Sequence, residues 1–291
     1  DDNGDENYRI WKKSTESNKK KKAFEFSIEN VTLNTVDFDY QNNLNHQNYN
    51  FNIEELALDG DFSEEVFTLN GSSDFISNYF YSGETNYLPN QLVELDVDLA
   101  INTKENTYRL NNGNMNISGL KFNLGGFYDN NSQFLDLALN GQNIDLISLL
   151  KLMPKQYSNK ISNFKSDGVL GFDAKIKGKT NKDNIPLVTA SFNVKNGSLN
   201  ESKNDITLKN LTLSGNYNSK NKSGLPELNL NQFSGKFEDG IFNGKLSVQD
   251  FAQPRLNLSA SGKLNLNTVY RFFSSTSLEK LEGNIEFNGN F

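Results

Sequence analysis

Glu94-Leu95-Asp96-Val97-Asp98-Leu99-Ala100-Ile101 alternates without a break: Leu95, Val97, Leu99 and Ile101 fall on odd positions and Glu94, Asp96 and Asp98 on even ones. Successive side chains of a strand point to opposite faces, so this phrase predicts a strand with one oily and one wet side. The same period holds on either side of it. Phe24, Phe26 and Ile28 alternate with Glu25 and Ser27, and Val36, Phe38 and Tyr40 with Asp37 and Asp39. It returns at Leu135, Leu137 and Leu139; at Phe172, Ala174 and Ile176; at Ala190, Phe192 and Val194; at Leu211 and Leu213; and at Leu256, Leu258 and Ala260. One-sided strands belong to antiparallel sheets, which leave one face to water. Stretch 74–92 is patterned too weakly to assign its faces.

Turn chemistry punctuates the runs. Asn-Gly occurs at Asn70-Gly71, Asn112-Gly113, Asn140-Gly141, Asn196-Gly197, Asn243-Gly244 and Asn288-Gly289, with Asp-Gly at Asp59-Gly60 and Asp239-Gly240. Both residue types tolerate the positive φ of tight hairpins, so these dipeptides predict turns; those inside alternating runs fit bulges or strand ends equally well. Phe233 to Val248, turning at Glu238-Asp239-Gly240, predicts a hairpin. Two segments break the period. Asn143 to Met153 places Leu146, Leu149, Leu150 and Met153 at helical spacing, with Asn143 as the expected cap, Asp145 at the positive end and Pro154 as the stop. Asn267 to Phe273 predicts a shorter helix of the same kind.

Composition limits the function classes. The 291 residues hold 29 Lys+Arg against 36 Asp+Glu, one His and no Cys. A net charge of −7 argues against a nucleic-acid surface, which needs clustered Lys and Arg. Without Cys there are no disulfides, zinc–thiolate sites or thiol nucleophiles, and His46 alone assembles neither a His metal cluster nor a Ser-His-Asp triad. No metal and no cofactor is expected. No run reaches the roughly 18 apolar residues of a membrane-spanning helix. Leu, Ile, Val and Phe make up roughly 28%, above the level of about 20% that signals disorder. The chain folds, but with too little apolar material for a thick enclosed core. Residues 1–22 are polar despite Trp11 and end in Lys19-Lys20-Lys21-Lys22; they read as a solvated arm or linker, with attraction to anionic lipid heads as the other reading of the lysines. The chain opens on Asp1 and stops in a strand-like phrase (Ile285, Phe287, Phe291), as a piece of a longer protein does.

An internal repeat organises the rest. Leu135-Asp-Leu-Ala-Leu-Asn-Gly141 corresponds to Leu256-Asn-Leu-Ser-Ala-Ser-Gly262, and Ile144-Asp145-Leu146 to Leu264-Asn265-Leu266. A helix, a polar link and a strand restart follow each, giving a period of about 120 residues, longer than standard solenoid repeats. The expected divisions are an arm (1–22), a first β unit ending in a helix (23–165) and a second β unit (166–291).

Taken in order, the phrases Phe24-Glu-Phe-Ser-Ile-Glu-Asn-Val-Thr-Leu-Asn-Thr-Val-Asp-Phe-Asp-Tyr40, the two Gly…Leu-(Asp/Asn)-Leu-helix passages and Ser166-Asp-Gly-Val-Leu-Gly-Phe-Asp-Ala-Lys-Ile-Lys-Gly178 resemble the AsmA-type proteins of Gram-negative envelopes, in a form similar to the Bacteroidetes branch. The resemblance covers most of residues 24–291. It implies a periplasmic β-rich body held to the inner membrane by a segment not present in this chain. It also implies a likeness to bridge-like lipid-transfer proteins, whose sheets curl into an apolar groove.

The fold class expected is therefore mainly β: an elongated, curled antiparallel sheet with two short helices. The residues expected to line its groove are Phe24, Phe26, Ile28, Phe38, Leu95, Val97, Leu99, Ile101, Leu135, Leu137, Leu139, Phe172, Ile176, Phe192, Val194, Leu211, Leu213, Leu256 and Leu258. The expected partner is a phospholipid or other acyl lipid, and the expected role is non-enzymatic lipid transport or outer-membrane biogenesis. The alternative is a secreted or surface β-sandwich or solenoid for adhesion or glycan binding. The paired carboxylates Asp37/Asp39, Asp59/Asp61 and Asp96/Asp98 read as solvated charges that keep the sheet soluble rather than as a hydrolase or calcium site.

Overall fold

A computed structural model describes residues 29–43, 46–62, 64–82, 84–86, 88–152, 162–180, 184–273 and 280–290. Phe24, Phe26, Ile28, the arm, Met153 and Pro154 lie outside these. Packing divides the chain into two compact units, Asp1–Ser118 and Gly119–Phe291. This division follows packing, whereas the 23–165 and 166–291 spans follow the sequence repeat.

Unit 1 consists of β1 (Asn30–Asn42), β2 (Gln47–Gly60), β3 (Val66–Ser82), the two-residue β4 (Thr85–Asn86), β5 (Gln91–Asn102) and β6 (Thr107–Ile117). Its strands pair antiparallel in the order β1-β2-β3-β5-β6, with β4 beside the end of β3. Strand β1 does not pair with β6, so the sheet is open.

Unit 2 begins with β7 (Leu120–Asp129) and β8 (Phe134–Asp145), then α1 (Leu146–Leu152), β9 (Phe164–Asp167), β10 (Val169–Lys179) and β11 (Leu187–Glu201). It continues with β12 (Ile206–Asn218), β13 (Glu227–Phe237), β14 (Gly240–Gln249), β15 (Arg255–Asn265), α2 (Leu266–Phe273) and β16 (Asn284–Asn290). The order is β7-β8-β10-β11-β12-β13-β14-β15-β16, every pair antiparallel, with β9 against the end of β11. Strand β7 does not pair with β16, so these strands do not close on themselves. The hairpin expected around Glu238-Asp239 is there, with Phe237 opposite Gly240.

Both helices begin one or more residues away from where helical spacing places them. Asp145, not Asn143, caps α1: its Oδ1 accepts the Ser148 amide at 2.7 Å. Asn265 caps α2 in the same way, accepting the Thr268 amide at 3.1 Å. An Asx residue reaching the third amide of the helix satisfies a donor that has no partner within the helix. The two caps occupy matching positions of the sequence repeat. Asn143 instead takes a left-handed φ of 59° in a β-bulge, where β8 carries one residue more than β10.

Six Asn-Gly dipeptides lie inside strands β3, β6, β8, β11, β14 and β16 rather than at turns, and Asn196-Gly197 stands at a register shift of β11, the bulge that the sequence left open as the other reading. Their glycines do not use positive φ. Each sits on the apolar side of its strand, and at two of them the space where Cβ would stand is filled by a cross-strand ring. An added Cβ would lie 2.7 Å from the Phe172 ring at Gly141 and 2.6 Å from the Phe233 ring at Gly244. The hairpin loops close instead with His46, Asn106, Gln133 and Asp205 in the left-handed region, where Asn and Asp are readily tolerated.

Candidate functional site

Residues directly opposite one another in antiparallel strands share a face, so the registers assemble the stripes into surfaces. In unit 1, Ile53 of β2 faces Phe75 of β3, which faces Val93 of β5, which faces Ile117 of β6. The next row of that face is Ser73, Leu95 and Met115. After it come Leu58, Gly71, Val97 and Gly113, then Leu69, Leu99 and Leu110. The result is one apolar surface five strands wide. At its β1 side it is paved with rings: Phe38 stacks on Phe51 at 5.9 Å, Tyr40 on Tyr49 at 5.2 Å and Tyr49 on Phe80 at 4.4 Å. Burial and the neighbouring Tyr40 raise the pKa of the Tyr49 hydroxyl. Ser77 is fully buried here at a register shift of β3, and its hydroxyl has no hydrogen-bond partner.

Among the described residues of unit 1 there is no helix and no second sheet to lie over this surface. Val93 and Ile117 are buried, most of the others are half-buried, and Leu33 and Phe38 are exposed.

Unit 2 carries a corresponding face. Leu139, Ala174 and Ala190 form one row across β8, β10 and β11, and Phe172, Phe192 and Gly215 another across β10, β11 and β12. At one end the helices cover it. Phe272 of α2, 2% exposed, packs on Leu208, Leu211 and Phe237, and its ring lies 5.2 Å from Phe164 and 5.0 Å from Phe237. Towards the other end Leu135, Leu137 and Leu258 are half-buried, and Leu256 is 64% exposed.

The structure thus places every described groove candidate on the apolar face of its unit. Phe38, Leu95, Val97, Leu99 and Ile101 come together in unit 1. In unit 2 Leu135, Leu137, Leu139, Phe172, Ile176, Phe192, Leu213, Leu256 and Leu258 share the apolar face. Val194 and Leu211 share it as well but are buried, Leu211 beneath Phe272. Sequence reading missed Tyr49 and Phe51, which alternate with Asn48, Asn50 and Asn52, and Phe75 and Phe80, between which a bulge of β3 changes the spacing. The opposite faces are polar. Asp37 accepts the Asn52 amide at 2.8 Å and Asp39 the Asn50 amide at 3.2 Å, and Asp98 accepts Asn111 at 3.2 Å.

Among the described residues no three His, Cys, Asp or Glu are grouped to hold a metal, and no helix is long and apolar enough to cross a membrane. What the arrangement offers chemically is a hydrocarbon-compatible surface with few polar anchors. Compared with protein-family models, with curated proteins and with solved structures, the chain has no match.

Proposed function

We propose that the apolar faces shelter lipid acyl chains, and that the protein handles lipid without catalysing a reaction. The observation that carries this reading is the five-strand apolar surface of unit 1, over which the described residues of that unit lay no helix and no second sheet. Large exposed apolar surfaces are uncommon in proteins and mark ligand, partner or membrane sites. A chain of about sixteen carbons gains on the order of 10 kcal/mol on leaving water for such a surface. Hydrophobic attraction is non-directional, so a chain held this way slides without breaking specific bonds. The resemblance to AsmA-type proteins supplies the setting: transport of phospholipid or another acyl lipid in the periplasm, or outer-membrane biogenesis.

Native mass spectrometry of the purified protein, with organic extraction of the same sample, tests the proposal. Bound phospholipid or fatty acid is the expected result. Protein free of lipid after purification without detergent, and unable to take up a fluorescent phospholipid from vesicles, would refute it.

A further inference from the structure

Two phenols meet at the end of unit 1's apolar face where β1 finishes and β2 begins. Tyr40 stands directly opposite Tyr49, and their rings stack 5.2 Å apart and 19° from parallel. Opposite residues of antiparallel strands project to the same side, so these half-buried rings carry their hydroxyls side by side. The side-chain amide of Asn42 donates to the Tyr40 hydroxyl oxygen at 3.1 Å, which leaves the proton of that hydroxyl for another partner. Among the described residues neither phenol proton has an acceptor. One row further in, opposite Phe51, the buried Ser77 hydroxyl also has no partner. Hydroxyls held against an apolar surface with nothing to receive their protons make a site for an acceptor.

The charge of the surroundings narrows what that acceptor is. Residues 29–118 hold fifteen Asp and Glu against two Lys and Arg. Both cations stand at the other end of the strands, Lys104 in the turn between β5 and β6 and Arg109 near the start of β6. A carboxylate brought to Tyr40 and Tyr49 would therefore meet no cation among the described residues of the unit, and an unpaired charge against an apolar surface is costly. A carbonyl is uncharged, and its two lone pairs accept one proton from each phenol. The position suits the polar end of a lipid. Tyr40 lies two residues before the end of β1 and Tyr49 two residues after the start of β2. A tail running from there crosses Phe51 and Phe75 towards Leu95, while the head group extends past the strand ends into water.

We infer that the Tyr40 and Tyr49 hydroxyls hold the ester carbonyl of an acyl lipid, so that unit 1 takes esterified lipid in preference to free fatty acid. This rests on the lipid reading above and names the substrate class within it. Neutral hydrogen bonds select by about tenfold or less each, so the anchor decides which lipid rests there without halting its sliding.

Diacyl phosphatidylcholine and its dialkyl ether analogue share head group and tails and differ in the carbonyls. Delipidated protein offered vesicles of each should half-saturate at an ester-lipid concentration about fivefold or more below that of the ether lipid. Tyr40→Phe/Tyr49→Phe keeps both rings and should abolish the preference by weakening ester-lipid uptake, with far-UV circular dichroism unchanged. Each single substitution should fall between, and Tyr79→Phe, on the polar face, should behave like the parent. The infrared band of a carbon-13-labelled ester carbonyl should lie lower on the parent than on the double variant. Monopalmitoylglycerol should displace a bound hydrophobic dye at lower concentration than palmitate does. Equal uptake of ester and ether lipid by the parent, a preference that survives the double substitution, or tighter binding of palmitate overturns the inference and leaves the lipid reading standing. Uptake of neither phosphatidylcholine overturns both.

Discussion

Gly215 and Asp145 show how single side chains set the geometry. A Cβ at Gly215 would lie 2.4 Å from the Asn229 carbonyl oxygen and 2.6 Å from the Phe192 ring, so both a ring and a neighbouring backbone would have to shift. At Gly71 the nearest atoms are flexible side-chain methyls at 3.2 and 3.3 Å. Gly215→Ala should therefore cost about 1–3 kcal/mol and Gly71→Ala clearly less, as read from urea unfolding. Burial pushes the Asp145 carboxyl up, but hydrogen bonds from Ser148 and Ser166, together with Lys151, outweigh it and leave its pKa below the usual value. A carboxyl with a depressed native pKa stabilises the fold above its unfolded value of about 3.9 and loses that contribution as pH falls through the native value. Asp145→Ala should accordingly cost about 1 kcal/mol at pH 7. The gap in urea midpoint between variant and parent should narrow below about pH 4. Asn143 was the more obvious cap in the sequence. The extra residue that turns it into a bulge depends on the register with β10, which no local pattern reveals.

At the scale of elements, strands were legible wherever polar and apolar residues alternated without interruption, as in β5, β8 and β15. Legibility failed where a bulge changes the spacing from two to three while keeping the apolar side chains on one face. Ile53 to Leu56 in β2, Ser77 to Phe80 in β3 and Leu230 to Phe233 in β13 are such places, each at a register shift. Phe80 went unseen for this reason, whereas Tyr49 and Phe51 alternate regularly with Asn50 and Asn52 up to Ile53. The glycines misled for a different one: their partners are side chains of neighbouring strands, Val97 and Leu58 at Gly71, Phe172 at Gly141 and Phe233 at Gly244. The helices were legible from Leu146, Leu149 and Leu150 and from Val269 and Phe272, since both keep an apolar stripe. Their packing makes a sharp contrast testable. Phe272→Ala should destabilise unit 2 by about 3–5 kcal/mol, because the ring is enclosed by three others. Phe38→Ala, on an edge strand and 42% exposed, should cost much less in lipid-free protein. Chemical denaturation of both variants measures the difference.

For the molecule as a whole, the apolar and polar faces separate two kinds of substitution. Leu95→Arg and Leu99→Arg put a charge on the apolar face of unit 1 and should reduce bound lipid by tenfold or more, scored by mass spectrometry of the extract. Asp96→Asn, on the polar face, should load normally. If the arginine variants stay folded and load like the parent, that strand does not touch lipid. A ligand that binds only the folded state raises its stability with ligand concentration. Delipidated protein should therefore melt several degrees lower, bind a hydrophobic dye more strongly, and recover both properties when phospholipid is returned.

Within each unit almost every strand pairs with the strand before it in the chain. Such a ladder can assemble as a zipper, each new hairpin laid against the last, with little entropy lost to closing long loops. It also makes length adjustable: adding or deleting a hairpin alters the width of the surface by two strands and leaves the remaining registers as they were.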